Sequence, residues 1–400
     1  MDKKRILYIS GSLGLGHITR DLAIAIELRR QNPNIEISWL AAHPASQFVV
    51  DSGEYLLPEA VNYGNDNDPA EKAAKGSQLN LLKYLFGARE IWARNVSIFT
   101  KVTERNHFDL VIGDETYEIA VGMQRNFRIK KAPFVMIFDF IGLDAMTGSL
   151  LEKFGIYIWN RIWSAVDYNK KYNRVLDMGL FVGEEEDVPN RSFGFLLPNR
   201  REWAKTLCQF IGYIIPFNPL DYSEKEEVRK ELGYGPQPLI ICSVGGTSVG
   251  KDLLNLCAKA YPIVKEHKPD LRMILVCGPR LSPESLEVPQ GVEVRKYIPD
   301  LFKHFAVADL VIVLGGATST LELSALKQPF LYFPLEGHCE QALVAERLSR
   351  HKAGVKMIFS QTSPVYLAEK ILHHMGEKVE YLPIPLNGAQ KAATLISQLL

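Results

Sequence analysis

The stretch ADLVIVLGGATSTLELSALKQPFLYFP, Ala308 to Pro334, contains the elements that decide the fold. An uninterrupted apolar run, Leu310–Leu314, leads into a pair of glycines. A helical pattern follows, and then a second apolar run, Phe330–Phe333. Buried parallel strands read as continuous apolar runs, and helices connect them. The stretch therefore predicts a strand, helix and strand of a parallel α/β sheet.

The same alternation extends in both directions along the chain. The further apolar runs that we interpret as strands lie at Ile6–Ile9, Ile35–Leu40, Leu110–Ile112, Phe134–Phe138, Leu239–Val244 and Met273–Cys277. They form two sets on either side of GYIIPFNPLDYSEKE, Gly212–Glu226, where Pro216 and Pro219 interrupt the pattern. A chain of this length exceeds what one core usually serves, so two domains of roughly 200 residues each are expected. We predict one Rossmann-like domain over 1–215, a second over 216–375, and a helical segment over 376–400 that can cross back to the first.

Charge and cysteine content exclude several classes of protein. Lys plus Arg and Asp plus Glu balance at 46 each, which argues against a strongly cationic nucleic-acid binder. The five cysteines never form C-x-x-C, so neither a disulfide framework nor a zinc site is indicated, and a reducing cytosol fits best. No signal-peptide pattern and no membrane-spanning run is visible. We predict a cytoplasmic protein, and the aromatic-rich segments 79–99 and 149–168 either pack inside the first domain or rest on the inner face of the membrane.

Three glycine-containing turns follow predicted strands and precede predicted helices. They are GSLGLGH at Gly11–His17, GGTS at Gly245–Ser248 and GGATST at Gly315–Thr320. Glycine lets the backbone approach a ligand closely, and the N–H groups at a helix start can bind an anion such as a diphosphate. The first turn has the spacing G-x-x-G-x-G instead of the dinucleotide spacing G-x-G-x-x-G, which ranks an NAD-linked oxidoreductase last.

The order of these motifs resembles the GT-B nucleotide-sugar glycosyltransferases, especially the branch of the lipid-intermediate N-acetylglucosaminyltransferase and monogalactosyldiacylglycerol synthase. The similarity to this branch is strongest over Leu239–Gly354 and weaker at the first turn. The chain also resembles the UDP-glucosyltransferases, but more loosely. The resemblance implies an α/β protein of the GT-B class, with two doubly wound Rossmann-like domains facing across a cleft. The first would bind the acceptor and the second a nucleotide sugar.

The resemblance also implies which residues bind the donor. Diphosphate and ribose would be contacted by the second and third turns and the helix that follows, through Gly245, Gly246, Thr247, Gly316, Ala317, Thr318 and Glu322. The first turn would face the phosphates through Gly14 and Gly16, and the donor sugar would be held by Glu340 and Gln341. The nucleobase would meet the backbone of Tyr297 and Ile298.

A catalytic pair follows from the same resemblance. In related small-molecule glucosyltransferases, the histidine of a Gly-His turn takes the acceptor proton and an aspartate orients it; His17 and Asp114 occupy these places. The chemistry requires such a pair, because a hydroxyl is a weak nucleophile and a carboxylate behind the imidazole fixes its tautomer. Fixed N–H donors can stabilise the departing diphosphate without a metal. Direct displacement would invert the anomeric centre.

Some features depart from the family pattern or have a plainer interpretation. Leu314-Gly315-Gly316 stands where plant-type enzymes have His-Cys-Gly-Trp, and the lipid-pathway branch often lacks a residue like Asp114. Asp114 could instead cap the next helix, and Glu322 could lie on a helix surface. Asp139 and Asp144 follow a predicted strand, where they could face the acceptor or belong to a turn.

We predict an inverting, metal-independent transferase that moves a hexose or N-acetylhexosamine to an acceptor hydroxyl. The donor would be a nucleoside diphosphate sugar, with UDP as the expected nucleotide, and no other cofactor is predicted. A lipid-linked acceptor is left open, because no residue pattern names the acceptor. The alternatives are a nucleotide-sugar 2-epimerase and a catalytically silent nucleotide-sugar-binding protein.

Overall fold

The structure is a computed structural model that describes residues 3–11, 15–64, 74–75, 78–79, 81–146, 149–169, 173–245, 250–278 and 280–400. The chain forms two compact units. The first comprises Met1–Ala73, Asn80–Pro216 and Pro385–Leu400, and the second comprises Ala74–Leu79 and Phe217–Ile384. The division after Pro216 lies within the proline-containing segment, whereas the return to the first unit begins at Pro385 and not at residue 376.

The strands of the first part of the chain, numbered in order, are β1 Lys4–Ile9, β2 Ile35–Leu40, β3 Tyr55–Leu56, β4 Ala74–Lys75, β5 Gln78–Leu79, β6 Leu110–Asp114, β7 Phe134–Phe138, β8 Tyr168–Asn169, β9 Asn173–Arg174, β10 Met178–Val182 and β11 Cys208–Gly212. Within the described residues, seven of them form a parallel sheet in the order β11-β10-β7-β6-β1-β2-β3. The chain leaves β1 in one direction toward β2 and later returns on its other side with β6. Such a switch point is where open α/β sheets bind ligands, at the carboxyl ends of the strands.

Helices cover both faces of this sheet, as expected for buried parallel strands. They are α1 Leu15–Gln31, α2 Ala45–Asp51, α3 Leu81–Arg105, α4 Tyr117–Arg125, α5 Leu150–Trp163 and α6 Arg200–Leu207. The helix α1 begins at Leu15, within the first glycine motif, and packs Ile24 and Leu28 into the core above β1 and β2.

The second unit repeats this architecture with its own core. Its strands are β12 Leu239–Ser243, β13 Arg272–Val276, β14 Val292–Arg295, β15 Leu310–Leu314, β16 Phe330–Phe333 and β17 Val355–Lys356, and among the described residues they form a parallel sheet in the order β14-β13-β12-β15-β16-β17. Its helices are α7 Lys225–Glu231, α8 Lys251–His267, α9 Leu301–Val307, α10 Ala317–Ala325, α11 Cys339–Arg350 and α12 Pro364–His374. Every strand predicted from the sequence is present, and the switch point of this sheet lies between β12 and β15.

The last helix, α13, spans Gly388–Ile396 and belongs to the first unit. Its residues Ala392, Ala393 and Ile396 are fully buried in the cluster that contains the apolar face of α1. Close by, the Asn32 side-chain amide donates to the Ser397 hydroxyl at 2.7 Å. A helix from the C-terminal part of the chain therefore supports the helix that carries the first glycine turn.

Candidate active site

At the switch point of the first unit, a histidine and an aspartate form a direct hydrogen bond. His17 lies in the first turn of α1, and Asp114 is the last residue of β6. His17 Nδ1 is 2.8 Å from Asp114 Oδ2, and the Asp114 side chain is 0% exposed. Because the carboxylate contacts Nδ1, the Nε2 atom is the ring nitrogen left for a substrate. This is the geometry of a carboxylate-supported imidazole base.

The first glycine of the turn explains how these two residues approach each other. A Cβ on Gly11 would lie 2.9 Å from the Asp114 carbonyl oxygen and 3.3 Å from His17 Nδ1. No other residue leaves room for this contact, so Gly11 serves the His17–Asp114 pair. Gly16 lies in the first turn of α1, whereas Gly14 lies outside the described residues. The predicted phosphate contacts of both glycines stay predictions.

An arginine that the sequence analysis did not single out lies inside the same cluster. Arg20 follows His17 by one helical turn, and its guanidinium bridges two strand ends. Nη1 donates to Asp139 Oδ2 at 2.7 Å, and Nη2 donates to Asp114 Oδ1. Asp139 follows β7, which neighbours β6 in the sheet, so it belongs to the cluster; Asp144 instead pairs with Arg191 and Arg200.

Glu115 completes the cluster from a strained backbone. Its φ is +51°, a left-handed conformation that is uncommon for a residue with a side chain and that concentrates at functional sites. Glu115 Oε2 lies 3.9 Å from His17 Nε2, and Asp139 Oδ2 lies 4.0 Å from the same nitrogen. The Tyr117 hydroxyl donates to Glu115 Oε1 at 3.2 Å. The reactive side of the imidazole therefore faces two carboxyl groups.

Burial and neighbouring charges separate the proton affinities of these groups. Burial, together with the Asp139 charge, raises the pKa of Glu115 well above its usual range. Burial opposes ionisation of Asp139 as well, but the Arg20 charge outweighs it and lowers the pKa of that carboxyl. Burial and the Arg20 charge lower the pKa of His17, whereas the charge and hydrogen bond of Asp114 raise it, and the net direction is upward. Two carboxyls whose pKa values are separated in this way can take different roles, Glu115 as a proton donor and Asp139 as an ionised acceptor.

The nitrogen and oxygen atoms in this cluster are also of the types that coordinate metal ions. His17, Glu115 and Asp139 offer nitrogen and oxygen atoms that all lie within 4.8 Å of one another. The guanidinium of Arg20 already donates to Asp139 in this group, so a positive charge is present where a cation would bind. We assign no metal to the cluster, and metal independence stays a prediction.

In the second unit, the Gly315-Gly316 turn precedes α10 at the end of β15. A Cβ on Gly315 would lie 2.8 Å from Pro334 Cα and 3.2 Å from Gln341 Oε1, so this position must be glycine. A Cβ on Gly316 would meet no atom within 4 Å, and Gly316 is the N-cap of α10 without a side-chain cap. The first N–H groups of an α-helix have no partner within the helix. Ala317 and half-buried Thr318 stand at this helix start, where the sequence predicted the diphosphate.

Glu322 is buried in α10, and this excludes a helix-surface position. Its side chain is 8% exposed, and no side-chain hydrogen bond to another described residue is found for it. Burial raises its pKa from 4.5 to about 8. A buried carboxyl group without a partner costs free energy of folding and is retained where a ligand can supply the hydrogen bonds. The predicted ribose contact stays a prediction.

The two residues predicted to hold the donor sugar open α11, and the structure gives them different environments. Gln341 is buried, and its Oε1 accepts the Leu335 N–H at 2.8 Å, which fixes the turn after β16 beside Gly315. Glu340 is half-buried in the first turn of the helix. His338 is the N-cap and accepts the Gln341 N–H through its ring at 3.4 Å. The side-chain oxygen of Gln341 is therefore occupied by this hydrogen bond, and its side-chain nitrogen, Nε2, is the atom left to contact a sugar.

The remaining predicted donor contacts are described in part. Gly245 lies two residues after the end of β12 at Ser243, has φ +73°, and a Cβ at this position would meet no atom within 4 Å. Gly246 and Thr247 lie outside the described residues. Ile298 is buried in the core of the second unit, so only its backbone is available to a nucleobase. The Tyr297 side chain is exposed.

One helix of the first unit carries an exposed apolar face. On α5, Ile156 and Trp163 are buried, but Leu151 is 72% and Phe154 is 64% exposed. The interpretation that the whole helix packs inside the first domain is therefore wrong. Exposed side chains of this face and of a nearby loop also include Leu150, Ile158, Phe195 and Leu196. Within the part of the chain that is described, no helix is long and apolar enough to span a membrane.

Comparisons with known proteins agree with this architecture. The glycosyltransferase family 28 C-terminal domain matches residues 240–399. An uncharacterized glycosyltransferase of Methanosarcina acetivorans is 34% identical over 381 residues, which cover 91% of this chain and 86% of that protein. A UDP-N-acetylglucosamine–N-acetylmuramyl-(pentapeptide) pyrophosphoryl-undecaprenol N-acetylglucosamine transferase of Bifidobacterium longum is 23% identical over 392 residues, 91% of this chain and 88% of the relative. The match to an uncharacterized glycosyltransferase of Methanopyrus kandleri is 25% identical over 190 residues and spans 47% of this chain and 53% of that protein.

Solved structures give the fold class. A glycosyltransferase of kitacinnamycin superposes with a TM-score of 0.63 at 15% identity, covering 100% of this chain and 99% of the other. MurG of Acinetobacter baumannii superposes with a TM-score of 0.55 at 17% identity, covering 99% of each chain. Two Rossmann-like units with these matches define the GT-B fold. The chain belongs to glycosyltransferase family 28, which confirms the predicted fold class, family resemblance and transferase class.

Proposed function

We propose that this glycosyltransferase transfers a hexose or N-acetylhexosamine from a UDP-sugar to an acceptor hydroxyl with inversion, using His17 as the base. The observation that carries the proposal is the 2.8 Å contact between His17 Nδ1 and buried Asp114. A hydrogen bond from Nδ1–H to the carboxylate leaves a lone pair on Nε2. That atom can take the acceptor proton as the new C–O bond forms, and Asp114 stabilises the imidazolium.

The proposal assigns donor binding to the second unit. Family 28 enzymes use nucleotide-sugar donors, and the relative from Bifidobacterium longum is named for UDP-N-acetylglucosamine. The N–H groups at the start of α10 would bind the diphosphate as its charge develops, which is stabilisation by fixed dipoles without a metal. Glu322, one turn further along α10, would accept hydrogen bonds from the ribose diol, and Glu340 with Gln341 would hold the sugar.

Nucleotide binding tests the donor assignment without knowledge of the acceptor. We expect UDP and UDP-sugars to raise the melting temperature of the protein, and GDP, CDP, dTDP and NAD to raise it less, because a ligand stabilises the state that binds it. At a hundredfold excess over Kd the stabilisation is about 2.7 kcal/mol. Stabilisation by another nucleoside diphosphate alone would replace uracil as the predicted nucleobase of the donor. Stabilisation by none of them, at saturating concentration, would contradict donor binding.

For the acceptor, we propose a lipid-linked molecule that the protein meets at a membrane surface. The exposed apolar face of α5 includes Leu151 and Phe154, and the basic side chains of Lys153 and Arg161 on the same helix are exposed. A helix with this composition binds a bilayer interface through apolar burial and attraction to anionic lipids. The name of the Bifidobacterium longum relative includes a pyrophosphoryl-undecaprenol acceptor. The cytoplasmic location stays a prediction.

Vesicle flotation tests this surface. We expect the protein to float with vesicles that contain phosphatidylglycerol, and the double variant Leu151→Ser/Phe154→Ser to lose most of this binding because it removes the exposed apolar area. The matched control is Val61→Ser, which changes an apolar residue that is 85% exposed elsewhere in the same unit. Equal flotation of the double variant and the control would show that α5 is not the contact.

A further inference from the structure

The guanidinium of Arg20 lies within the His17–Asp114 pair. Nη2 donates to Asp114 and lies 2.8 Å from His17 Nδ1, while Nη1 donates to Asp139 at 2.7 Å. Arg20 is three positions after His17, so both side chains project from one face of α1. The guanidinium is also almost fully buried, which strengthens each of its charge-assisted contacts.

His17 Nδ1 cannot satisfy both of its neighbours at once. A neutral imidazole carries either a hydrogen or a lone pair at this nitrogen. With a hydrogen, Nδ1 donates to Asp114 and Nε2 keeps the lone pair that a base needs, but the N–H of Arg20 then faces another donor. With a lone pair, Nδ1 accepts from Arg20, and the ring proton lies on Nε2, where it prevents proton removal. The position of Arg20 therefore decides which tautomer is stable.

The pairing of Arg20 with Asp139 is incomplete in the structure. Arg20 Nε and Asp139 Oδ1 are buried, and neither has a hydrogen-bond partner among the described residues. One is a donor and the other an acceptor, and arginine pairs with a carboxylate most strongly through two parallel hydrogen bonds. The fork that includes Nε is formed with Nη2, so turning this edge of the guanidinium toward Asp139 would move Nη2 away from His17.

We propose that Arg20 is a positioning residue that controls the tautomer of His17. Shared between Asp114 and Asp139, its Nη2 opposes the Nδ1–H tautomer that the base needs. Drawn fully to Asp139, it leaves Nδ1–H to donate to Asp114 alone and keeps the lone pair of Nε2 free. The inference rests on the proposed role of His17 as the base. The charged and titratable groups around the ring come from α1 and from the ends of β6 and β7: Arg20, Asp21, Asp114, Glu115 and Asp139.

Histidine NMR on the full-length protein tests this control directly. With ¹⁵N-labelled histidine and His17 identified from the spectrum of His17→Gln, the ring nitrogens report both the titration midpoint and the tautomer. We expect Arg20→Leu to move the midpoint to higher pH, because Asp114 is then unopposed, and to place the proton of the neutral ring on Nδ1. Asp139→Asn should act in the opposite direction, because it leaves the guanidinium on His17 and removes a negative charge.

The matched control is Arg30→Leu, which removes an exposed arginine from the same helix and should leave both readings unchanged. An unchanged midpoint and tautomer in Arg20→Leu would overturn the proposal, and if that variant does not fold, an unchanged reading in Asp139→Asn would do so. The titration needs no nucleotide. Failure of UDP to bind would therefore defeat the proposed function without altering this result.

Discussion

Replacing His17 by alanine is expected to lower turnover by about 10²–10⁴-fold, the usual contribution of a positioned general base. Turnover is measured as release of the nucleoside diphosphate from the donor, with water as the acceptor where no other is known. The affinity for the nucleotide should change little, because the base acts in the transition state and its contacts are in the first unit. The loss would therefore appear in kcat and not in nucleotide binding.

His107→Ala is the matched control for this variant. His107 is an exposed histidine of the same unit, after α3, and its removal should leave turnover unchanged. Turnover of His17→Ala that equals the control would remove His17 from the role of base. A loss of nucleotide affinity that accounts for the whole effect would make His17 a binding residue.

Glu322→Gln should have opposite effects on stability and on nucleotide binding. The Glu322 carboxyl has a pKa of about 8 in the folded protein and 4.5 when unperturbed. Between these values the folded state binds more protons than the unfolded state, so the stability contributed at low pH is lost as the pH rises through about 8. Glutamine keeps the shape without the charge. We expect the variant to match the wild type at pH 4.5 and to gain about 3–5 kcal/mol of unfolding free energy above pH 8.

Above pH 8, where Glu322 is ionised, the same variant should bind UDP more weakly by about 1–3 kcal/mol, because an ionised carboxylate accepts both hydrogen bonds of a ribose diol. Urea unfolding at the two pH values and calorimetric titration with UDP measure the two effects. Glu346→Gln, on the exposed side of α11, removes the same charge and should change neither. A variant at position 322 that binds UDP as well as the wild type would remove Glu322 from the donor site, even if stability rises as expected.

The main sheets follow from the sequence because buried parallel strands have an unmistakable composition. The strand β15, LVIVL, is apolar throughout and was predicted with the bounds that the structure shows. The strands β10 and β11, MGLFV and CQFIG, were missed because a glycine interrupts each short run. The strand β14, VEVR, is half-buried along its length and alternates polar with apolar residues, so it lacked the continuous run that marked the others.

The candidate site is harder to predict from the sequence than the sheets, because its residues are brought together only by the order of the strands in the sheet. His17 and Asp114 could be paired by resemblance, but a charged helix residue such as Arg20 normally indicates a solvated face. Asp139 follows a predicted strand, and the sequence alone allows it to face the acceptor or to belong to a turn. The adjacency of β6 and β7 in the sheet, which the sequence does not state, brings Asp139 to Arg20. The signal that could have found Arg20 is its spacing of one turn from His17.

The position of α13 has a consequence for the synthesis of this protein. A chain emerges from the ribosome from its N-terminus, and domains generally fold as units in that order. Here the buried residues Ala392, Ala393 and Ile396 complete the core beneath α1, and they are made only after the entire second unit. Until the second unit has been translated, the apolar side of the helix that bears His17 therefore stays uncovered. The core of the first unit is therefore expected to be completed only after the second unit has been translated.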